Sequence, residues 1–294
     1  DFDAVATATS GLPVTFTILS GPATVSGNTI SLTGTTGTVV VQASQAGDSN
    51  YNAATNVTRS FEVTEQPCPG TTISSYPYSE NFNTNFGDWE QVTGDDGDWT
   101  RNAGGTASGN TGPSDDFTSG QEYVYVDASN ISGSFPENIG QNATAYLVSP
   151  CFDLSGYENA SLSFYYYMYG SEMGTLSIEV STDNGNTYTA LPASSVTTNG
   201  TNPGSNPISG QQQTADNQAW RQQVVDLSAY DGQVIKLRFT GVTGTSCRSD
   251  IAFDEISLTA NLASSSTWYA DTDSDGFGDP SVSQIAVSQP AGYV

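Results

Sequence analysis

Strand-length segments in which apolar and polar residues alternate recur along almost the whole chain, and they constrain its fold more than any other feature. The segments are separated by turns rich in Gly, Asn, Ser and Thr. Alternation with a period of two places successive side chains on opposite faces of a sheet. No long segment has apolar residues at the i, i+3, i+4, i+7 spacing of an amphipathic helix. The sequence therefore predicts an all-β protein built from packed antiparallel sheets.

The charge of the chain limits its partners. Six Lys and Arg residues face 31 Asp and Glu residues, which gives a formal net charge of −25. Such a charge opposes binding to nucleic acid or to an anionic membrane surface. No run of 18 apolar residues occurs, so no direct membrane insertion is predicted. The excess acidity serves either solubility alone or life in high salt or abundant calcium, where the repulsion is screened.

Histidine is absent, which excludes Ser–His and Cys–His catalysis and the ordinary zinc sites. No GxSxG, phosphate-loop or dinucleotide motif occurs either, so the chain is not predicted to be an enzyme. The three cysteines, at positions 68, 151 and 247, lack CxxC spacing. One disulfide and one spare thiol is the expected arrangement in an extracellular protein, and the residues alone leave three pairings open.

Residues 1–65 predict the first module, a small β-sandwich. Its stretch from Ser10 to Ala54, and above all the loop "AGDSNYNAA", resembles the bacterial Ig-like repeats of large surface proteins. The first strand of such a repeat is missing, which predicts that the chain is a piece of a longer protein. The predicted strands are 13–19, 29–32, 38–44 and 57–63.

Residues 66–72 form a linker with two prolines, and residues 73–259 form one long β-rich block. Its motifs follow the order and spacing of a MAM domain, a family named for a meprin, a neuropilin-type receptor and a receptor phosphatase. The motifs are "ENFNTNFGDWEQVTGDDGDWTR", "TGPSDDFTSGQEYVYVDAS", "AYLVSPCFDLSG", "LSFYYYMYGSEMGTLSIEVS" and "SDIAFDEISL". The resemblance implies a jelly-roll β-sandwich that serves adhesion and protein association outside the cell.

The cysteines depart from the animal MAM pattern and resemble its bacterial branch. That resemblance implies a disulfide between Cys68 and Cys151 and leaves Cys247 free. We expect the free thiol to be buried, because an exposed thiol outside the cell would be oxidised or cross-linked.

Residues 260–294 contain "YADTDSDGFGDP", which resembles the calcium repeats of thrombospondin type 3. Calcium prefers six to eight oxygen ligands, and a DxDxDG loop presents them from alternate residues. The twelfth position of the loop is Val282 rather than a bidentate Glu, and neither flank predicts a helix. A solvated acidic tail is the alternative. The predicted calcium ligands are Asp271, Asp273, Asp275, the carbonyl of Phe277, and Asp279.

A second calcium site is implied by resemblance to calcium-binding jelly rolls. The matching residues are Glu80, Asp116 and Asp254, with Asp98 and Asp250 as substitutes. The apolar parity changes across Asp254–Glu255, which predicts a β-bulge there. Ordinary exposed carboxylates are the alternative interpretation.

Two aromatic motifs could be mistaken for binding sites. The spacing of "GDDGDW" matches the loop that precedes a buried tryptophan in MAM domains, so the resemblance implies that Trp99 lies in the core rather than in a calcium loop. In "FYYYMYG", alternation buries Phe164, Tyr166 and Met168, or else their neighbours, and predicts a core strand rather than a sugar platform.

The predicted function is a non-enzymatic adhesion or structural module of a large bacterial secreted or cell-surface protein, rigidified by calcium. Its partners would be other extracellular proteins, surface glycans or further repeats of the same chain. The alternative is a carbohydrate-binding region attached to a secreted polysaccharide-degrading enzyme. The predicted architecture is an Ig-like sandwich, a jelly-roll sandwich and a short calcium-binding segment.

Overall fold

The computed structural model describes residues 1–63, 68–129, 139–201, 203–272, 276–286 and 289–294, except for the side chains of Ser266 and Ala286. The chain divides into two compact units, Asp1–Pro67 and Cys68–Val294. Strands dominate both units, and the described helical structure consists of two short 3-10 turns, Ala193–Ser195 and Ser228–Tyr230. The all-β prediction is confirmed. The described residues contain no helix of the length and apolarity that crossing a membrane requires.

The first unit consists of two three-stranded antiparallel sheets, ordered β1-β4-β3 and β2-β5-β6. A small core of Ala23, Ile30 and Val39 is buried in this unit, with Phe61 among the residues packed against it. The strands are β1 Phe2–Asp3, β2 Thr15–Ser20, β3 Ala23–Ser26, β4 Thr29–Leu32, β5 Gly37–Ser44 and β6 Val57–Val63.

The second unit contains the two sheets of a β-sandwich. One has the order β10-β11-β21-β14-β19-β17 with β8 beside β21; the other has the order β16-β15-β20-β12-β9 with β13, β7 and β18 attached. The strands are β7 Thr72–Ile73, β8 Tyr78–Glu80, β9 Glu90–Gln91, β10 Thr100–Asn102, β11 Tyr123–Val126, β12 Thr144–Val148, β13 Cys151–Asp153, β14 Tyr157–Met168, β15 Thr175–Ser181, β16 Thr189–Ala190, β17 Val196–Thr198, β18 Ile208–Ser209, β19 Arg221–Asp226, β20 Val234–Val242 and β21 Ile251–Leu262.

Aromatic rings fill the space between the two sheets. The ring centroids of Phe239 and Phe253 lie 4.6 Å apart, and those of Trp99 and Phe253 lie 4.9 Å apart. Trp99 is therefore a core residue, as predicted. Phe164 lies 4.9 Å from Phe239, and Tyr166 and Met168 are buried in the same cluster. Of the two faces that alternation leaves open for this strand, the one with Phe164, Tyr166 and Met168 enters the core, as a core strand requires.

A smaller cluster covers the outer face of the sheet that contains β11, β21 and β14. Tyr123, Tyr125, Tyr167 and Ala252 are buried in it, and Trp220 packs against them. Side chains of β11 and β21 are therefore buried on both faces of the sheet. The polar residues that adjoin the paired ends of these strands, Asp127 and Asp250, are buried as well.

A disulfide bond joins Cys68 to Cys151, the pair that the resemblance implies. It lies beside the parallel pairing of β7 with β13, in which Cys151 is opposite Thr72. The remaining thiol, Cys247, is exposed in the loop before β21. Our expectation that it is buried is wrong, because the loop that carries it lies at the surface while the following strand enters the core.

The chain ends in a two-stranded antiparallel sheet of β22 Ser266–Ala270 and β23 Asp279–Ala286. Backbone hydrogen bonds between Tyr269 and Val294 attach the last residues to it. The acidic loop therefore connects two strands of a hairpin, in agreement with the prediction that its flanks are not helical.

Candidate functional site

A β-bulge near the middle of β21 positions the first group of carboxylates. Ser163 pairs with Ser257 but Tyr165 pairs with Asp254, so one extra residue of β21 is accommodated between these pairs. Glu255 takes up the irregularity with a φ of 51°, in the left-handed region. The predicted bulge is confirmed. It allows both Phe253 and Ile256 to enter the core while Asp254 is buried on the other side.

Asp116 and Asp254 are buried close to each other. Their exposed fractions are 5% and 1%. Burial, followed by the charges of Glu255 and Asp116, raises the pKa of Asp254 to about 8, against the opposing effect of the hydrogen bond from the Glu255 N–H. Burial also raises the pKa of Asp116, with a contribution from the charge of Asp115. Two buried carboxyl groups that disfavour ionisation form an environment in which a cation would be stabilised.

One carboxylate oxygen of Asp116 has no hydrogen-bond partner. Its Oδ2 accepts a hydrogen bond from the Gln121 N–H at 3.1 Å, but Oδ1 is buried and unsatisfied. An oxygen in this state normally costs free energy, and coordination of a cation would remove that cost. The unpartnered oxygen of Asp116 is therefore a suitable ligand for a calcium ion.

Glu80 is placed on the neighbouring strand β8, where it pairs with Ile256. Its Oε1 accepts a hydrogen bond from the Phe82 N–H at 2.8 Å. Its Oε2 lies beside Gly87, whose φ of 58° falls in the left-handed region, and a Cβ at Gly87 would displace this carboxylate. Within the part of the chain that the structure describes, no three Asp, Glu, Cys or His side chains converge on one metal position. The three-carboxylate ligand set stays a prediction, with Asp116 and Asp254 as the two that are brought together.

The two substitute residues lie elsewhere. Asp98 is exposed, and its charge acts on Asp95 in the loop before Trp99. Asp250 is fully buried and faces Asp127 rather than Asp116. Sequence reasoning missed Asp127. The signal that could have identified it is a carboxylate placed directly after the apolar and aromatic run "YVYV".

The C-terminal loop is described in part. Asp271 Oδ2 accepts a hydrogen bond from the Gly276 N–H at 3.2 Å, which folds the loop back on its first acidic residue. Asp279 begins β23 and accepts hydrogen bonds from Ser281, which lower its pKa. Phe277 is 79% exposed. The predicted ligands Asp273 and Asp275 lie outside the described residues, so this site also stays a prediction.

A cleft of about 380 Å³ lies beside the buried carboxylates, and no sequence pattern predicted it. The ring of Phe117 is 40% exposed and stacks on Tyr165 with the centroids 3.8 Å apart. Trp220 lines the same cleft, and its indole N–H donates a hydrogen bond to the Asp115 carbonyl. Polar side chains from the loop before β19 complete the wall: Asp216, Asn217 and Gln218.

Comparison with known proteins gives the family. The description "MAM domain, meprin/A5/mu" matches residues 81–262, more than half of the chain. The chain is 28% identical over 205 residues to MAM domain-containing glycosylphosphatidylinositol anchor protein 2 of Mus musculus, covering 64% of this chain and 19% of that protein. It is 30% identical over 168 residues to anchor protein 1 of Rattus norvegicus, covering 56% and 15%. The chain thus spans less than a fifth of these relatives.

Two solved structures are similar in part. The K1 cleaved adhesin domain of Lys-gingipain from Porphyromonas gingivalis W83 has 22% identity and a TM-score of 0.43, covering 64% of this chain and 99% of that one. A carbohydrate-binding module of the β-sandwich superfamily has 11% identity and a TM-score of 0.34, covering 83% of both chains. The sandwich of the second unit, its motifs and the family match agree, and the chain belongs to the MAM domain family.

Proposed function

We propose that the chain is a non-enzymatic adhesion or structural module of a large secreted or cell-surface bacterial protein, stiffened by calcium. The observation that carries this proposal is the buried pair Asp116 and Asp254, in which one oxygen lacks a partner. Membership of the MAM family supports an extracellular binding role, and the disulfide fits an oxidising compartment. The other extracellular proteins, surface glycans or further repeats that it would contact belong to the same proposal.

Calcium would supply a divalent positive charge that replaces carboxylate repulsion with shared coordination. In the sandwich, Asp116 and Asp254 would hold it, with Glu80 contributing from β8. In the C-terminal segment, Asp271 and Asp279 would hold it together with the predicted ligands Asp273, Asp275 and the Phe277 carbonyl. The first site would fix the loop that carries Asp116 onto β21, and the second would order the tip of the hairpin.

The test is calcium titration by calorimetry, combined with thermal melting in calcium and in chelator. We expect micromolar-range binding and a raised melting temperature, because a ligand that binds only the folded state stabilises it. The double variant Asp116→Asn, Asp254→Asn should lose part of the binding. Asp226→Asn, an exposed carboxylate on β19, is the matched control and should retain all of it. Absence of calcium binding by the unmodified protein would refute the proposal.

Carbohydrate binding is the second candidate function, and the cleft beside Phe117 favours it. An exposed aromatic ring offers a stacking face to a pyranose, and the side chains of Asp216, Asn217 and Gln218 offer hydrogen-bond partners for its hydroxyl groups. The acidity of the chain favours neutral over anionic sugars. A glycan array tests this candidate, with Phe117→Ala expected to abolish binding. Binding that is retained in Phe117→Ala would assign the sugar to another surface, and an array without any ligand would argue against this function.

A further inference from the structure

A second pair of carboxylates is buried where β11 ends and β21 begins, away from Asp116. In the antiparallel pairing of β11 with β21, Val126 lies opposite Ile251, so continuing the register places Asp127 opposite Asp250. Asp127 is 2% exposed and Asp250 is 0% exposed. Asp250 precedes Asp254 by four residues, which corresponds to roughly 13 Å along a strand. The pair is therefore a separate group of charges.

Backbone N–H groups donate a hydrogen bond to one of the two oxygens of each carboxylate. Asp127 Oδ1 accepts a hydrogen bond from the Ser129 N–H at 2.6 Å, and Asp250 Oδ1 accepts one from the Ala128 N–H at 3.2 Å. Oδ2 of each residue is buried without a partner. These backbone bonds hold both carboxyl groups in place, and the two lie close enough for the charge of Asp127 to act on Asp250.

No basic side chain neutralises the pair among the residues that the structure describes. The two ion pairs found there, Arg101 with Glu122 and Arg238 with Glu179, involve other carboxylates. Burial, followed by the charge of Asp127, raises the pKa of Asp250 to about 8. Two facing carboxylates in an apolar interior are stabilised either by a shared proton or by a bound cation, because the desolvation of an unpaired charge is too costly.

We propose that Asp127 and Asp250 form a binding site for a divalent, oxygen-preferring cation, held between their unpartnered Oδ2 atoms. Two carboxylates neutralise a divalent ion, and hard oxygen ligands select calcium or magnesium over the softer transition metals. The Thr106 hydroxyl faces Asp250 and offers a neutral oxygen ligand. Such an ion ties the end of β11 to the start of β21, the two strands that carry the loops at this end of the sandwich.

The test counts bound calcium and magnesium in the whole chain by equilibrium dialysis and metal analysis. The variant Asp127→Asn, Asp250→Asn keeps the size of both side chains and removes both charges. It should bind one equivalent less than the unmodified protein, whereas Asp226→Asn should bind the same amount. The site of Asp116 and Asp254 is assayed separately by Asp116→Asn, Asp254→Asn, so the failure of one proposal leaves the other intact.

Crystals of the unmodified protein soaked in terbium give a second readout that does not depend on the folding of a variant. An anomalous peak between Asp127 Oδ2 and Asp250 Oδ2, at a distance of about 2.3–2.6 Å from each, supports the site. The absence of a peak, or an unchanged metal count in the double variant, overturns it. In that case the pair shares a proton, and Asp127→Asn should preserve the stability of the domain without metal.

Discussion

Asp254 shows how one buried carboxylate couples ion binding to pH. Its pKa is raised by burial to about 8, so the folded protein without a cation favours the protonated form. The corresponding contribution to stability is complete below the unfolded pKa near ~3.9 and is lost as the pH rises through about 8. A cation favours the ionised form and reverses this preference. At the proposed calcium site, calcium and protons would therefore compete for this residue.

Calcium affinity at the Asp116–Asp254 site should consequently weaken as the pH falls from about 8 towards 6, since each ion bound displaces a proton. If one proton is displaced per calcium ion, the calcium affinity should change by up to about tenfold per pH unit. Calorimetry at several pH values, repeated in buffers of different ionisation enthalpy, measures both the affinity and the proton release. Asp254→Asn should remove the part of the proton release that comes from Asp254. Affinity independent of pH in the unmodified protein would contradict the assignment of Asp254 as a ligand.

Strand β20 illustrates packing at the scale of an element, because its Gly241 lies directly against the indole of Trp99. A Cβ at this position would come within 2.7 Å of Trp99 Cζ2 and 2.9 Å of Cη2. Gly241→Ala should destabilise the domain by about 1–3 kcal/mol, the usual effect of overpacking a filled core. Gly109→Ala is the matched control, since a Cβ there meets nothing within 4 Å. Urea unfolding compares them, and equal stability of the two variants would show that the core repacks freely around Trp99.

The disulfide that anchors β7 beside β13 provides a second prediction at this scale. It closes a segment with a sequence separation of 83 residues. Cys68→Ser, Cys151→Ser should lower the free energy of unfolding by about 2–5 kcal/mol through the added freedom of the unfolded chain. Cys247→Ser is the control, and because Cys247 is exposed we expect no effect. Denaturant unfolding under oxidising conditions measures both, and a smaller loss in the disulfide variant than in the control would contradict this account.

The strands themselves were largely predictable from alternation. The predicted ranges 29–32 and 57–63 coincide with β4 and β6, because turn residues bound these segments closely. The core strand predicted for "FYYYMYG" runs over Tyr157–Met168, since its ends depend on pairing with β21 rather than on its own residues.

The candidate sites were less predictable than the strands that carry them. The bulge at Asp254 could be inferred from a change of parity along one strand. The facing of Asp127 and Asp250 could not, because it depends on the register between two strands distant in sequence. The cleft at Phe117 likewise combines separate loops. Local sequence patterns record which face a residue occupies, but they do not record which distant residue shares that face.

At the scale of the whole molecule, the net charge of −25 leads us to predict that the terminal hairpin depends on cations. The sandwich has an aromatic core, whereas the terminal hairpin has two strands and exposes Phe277 and Ile285 to solvent at 79% and 71%. An isolated two-stranded hairpin is marginally stable in water. Repulsion among the acidic residues at its tip opposes the turn that joins β22 to β23. Screening or coordination of these charges should therefore decide whether the hairpin forms.

Hydrogen exchange followed by mass spectrometry tests this dependence. In chelator, the amides of β22 and β23 should exchange at least tenfold faster than in calcium, because opening of the hairpin then costs less free energy. The amides of β20 serve as an internal reference, since this central strand is bonded on both edges and should keep most of its protection. Asp271→Asn should give the fast exchange even in calcium, while Asp226→Asn should not. Equal exchange of the hairpin in calcium and in chelator would mean that its backbone pairing suffices to hold it, and that the acidic loop is solvated rather than coordinated.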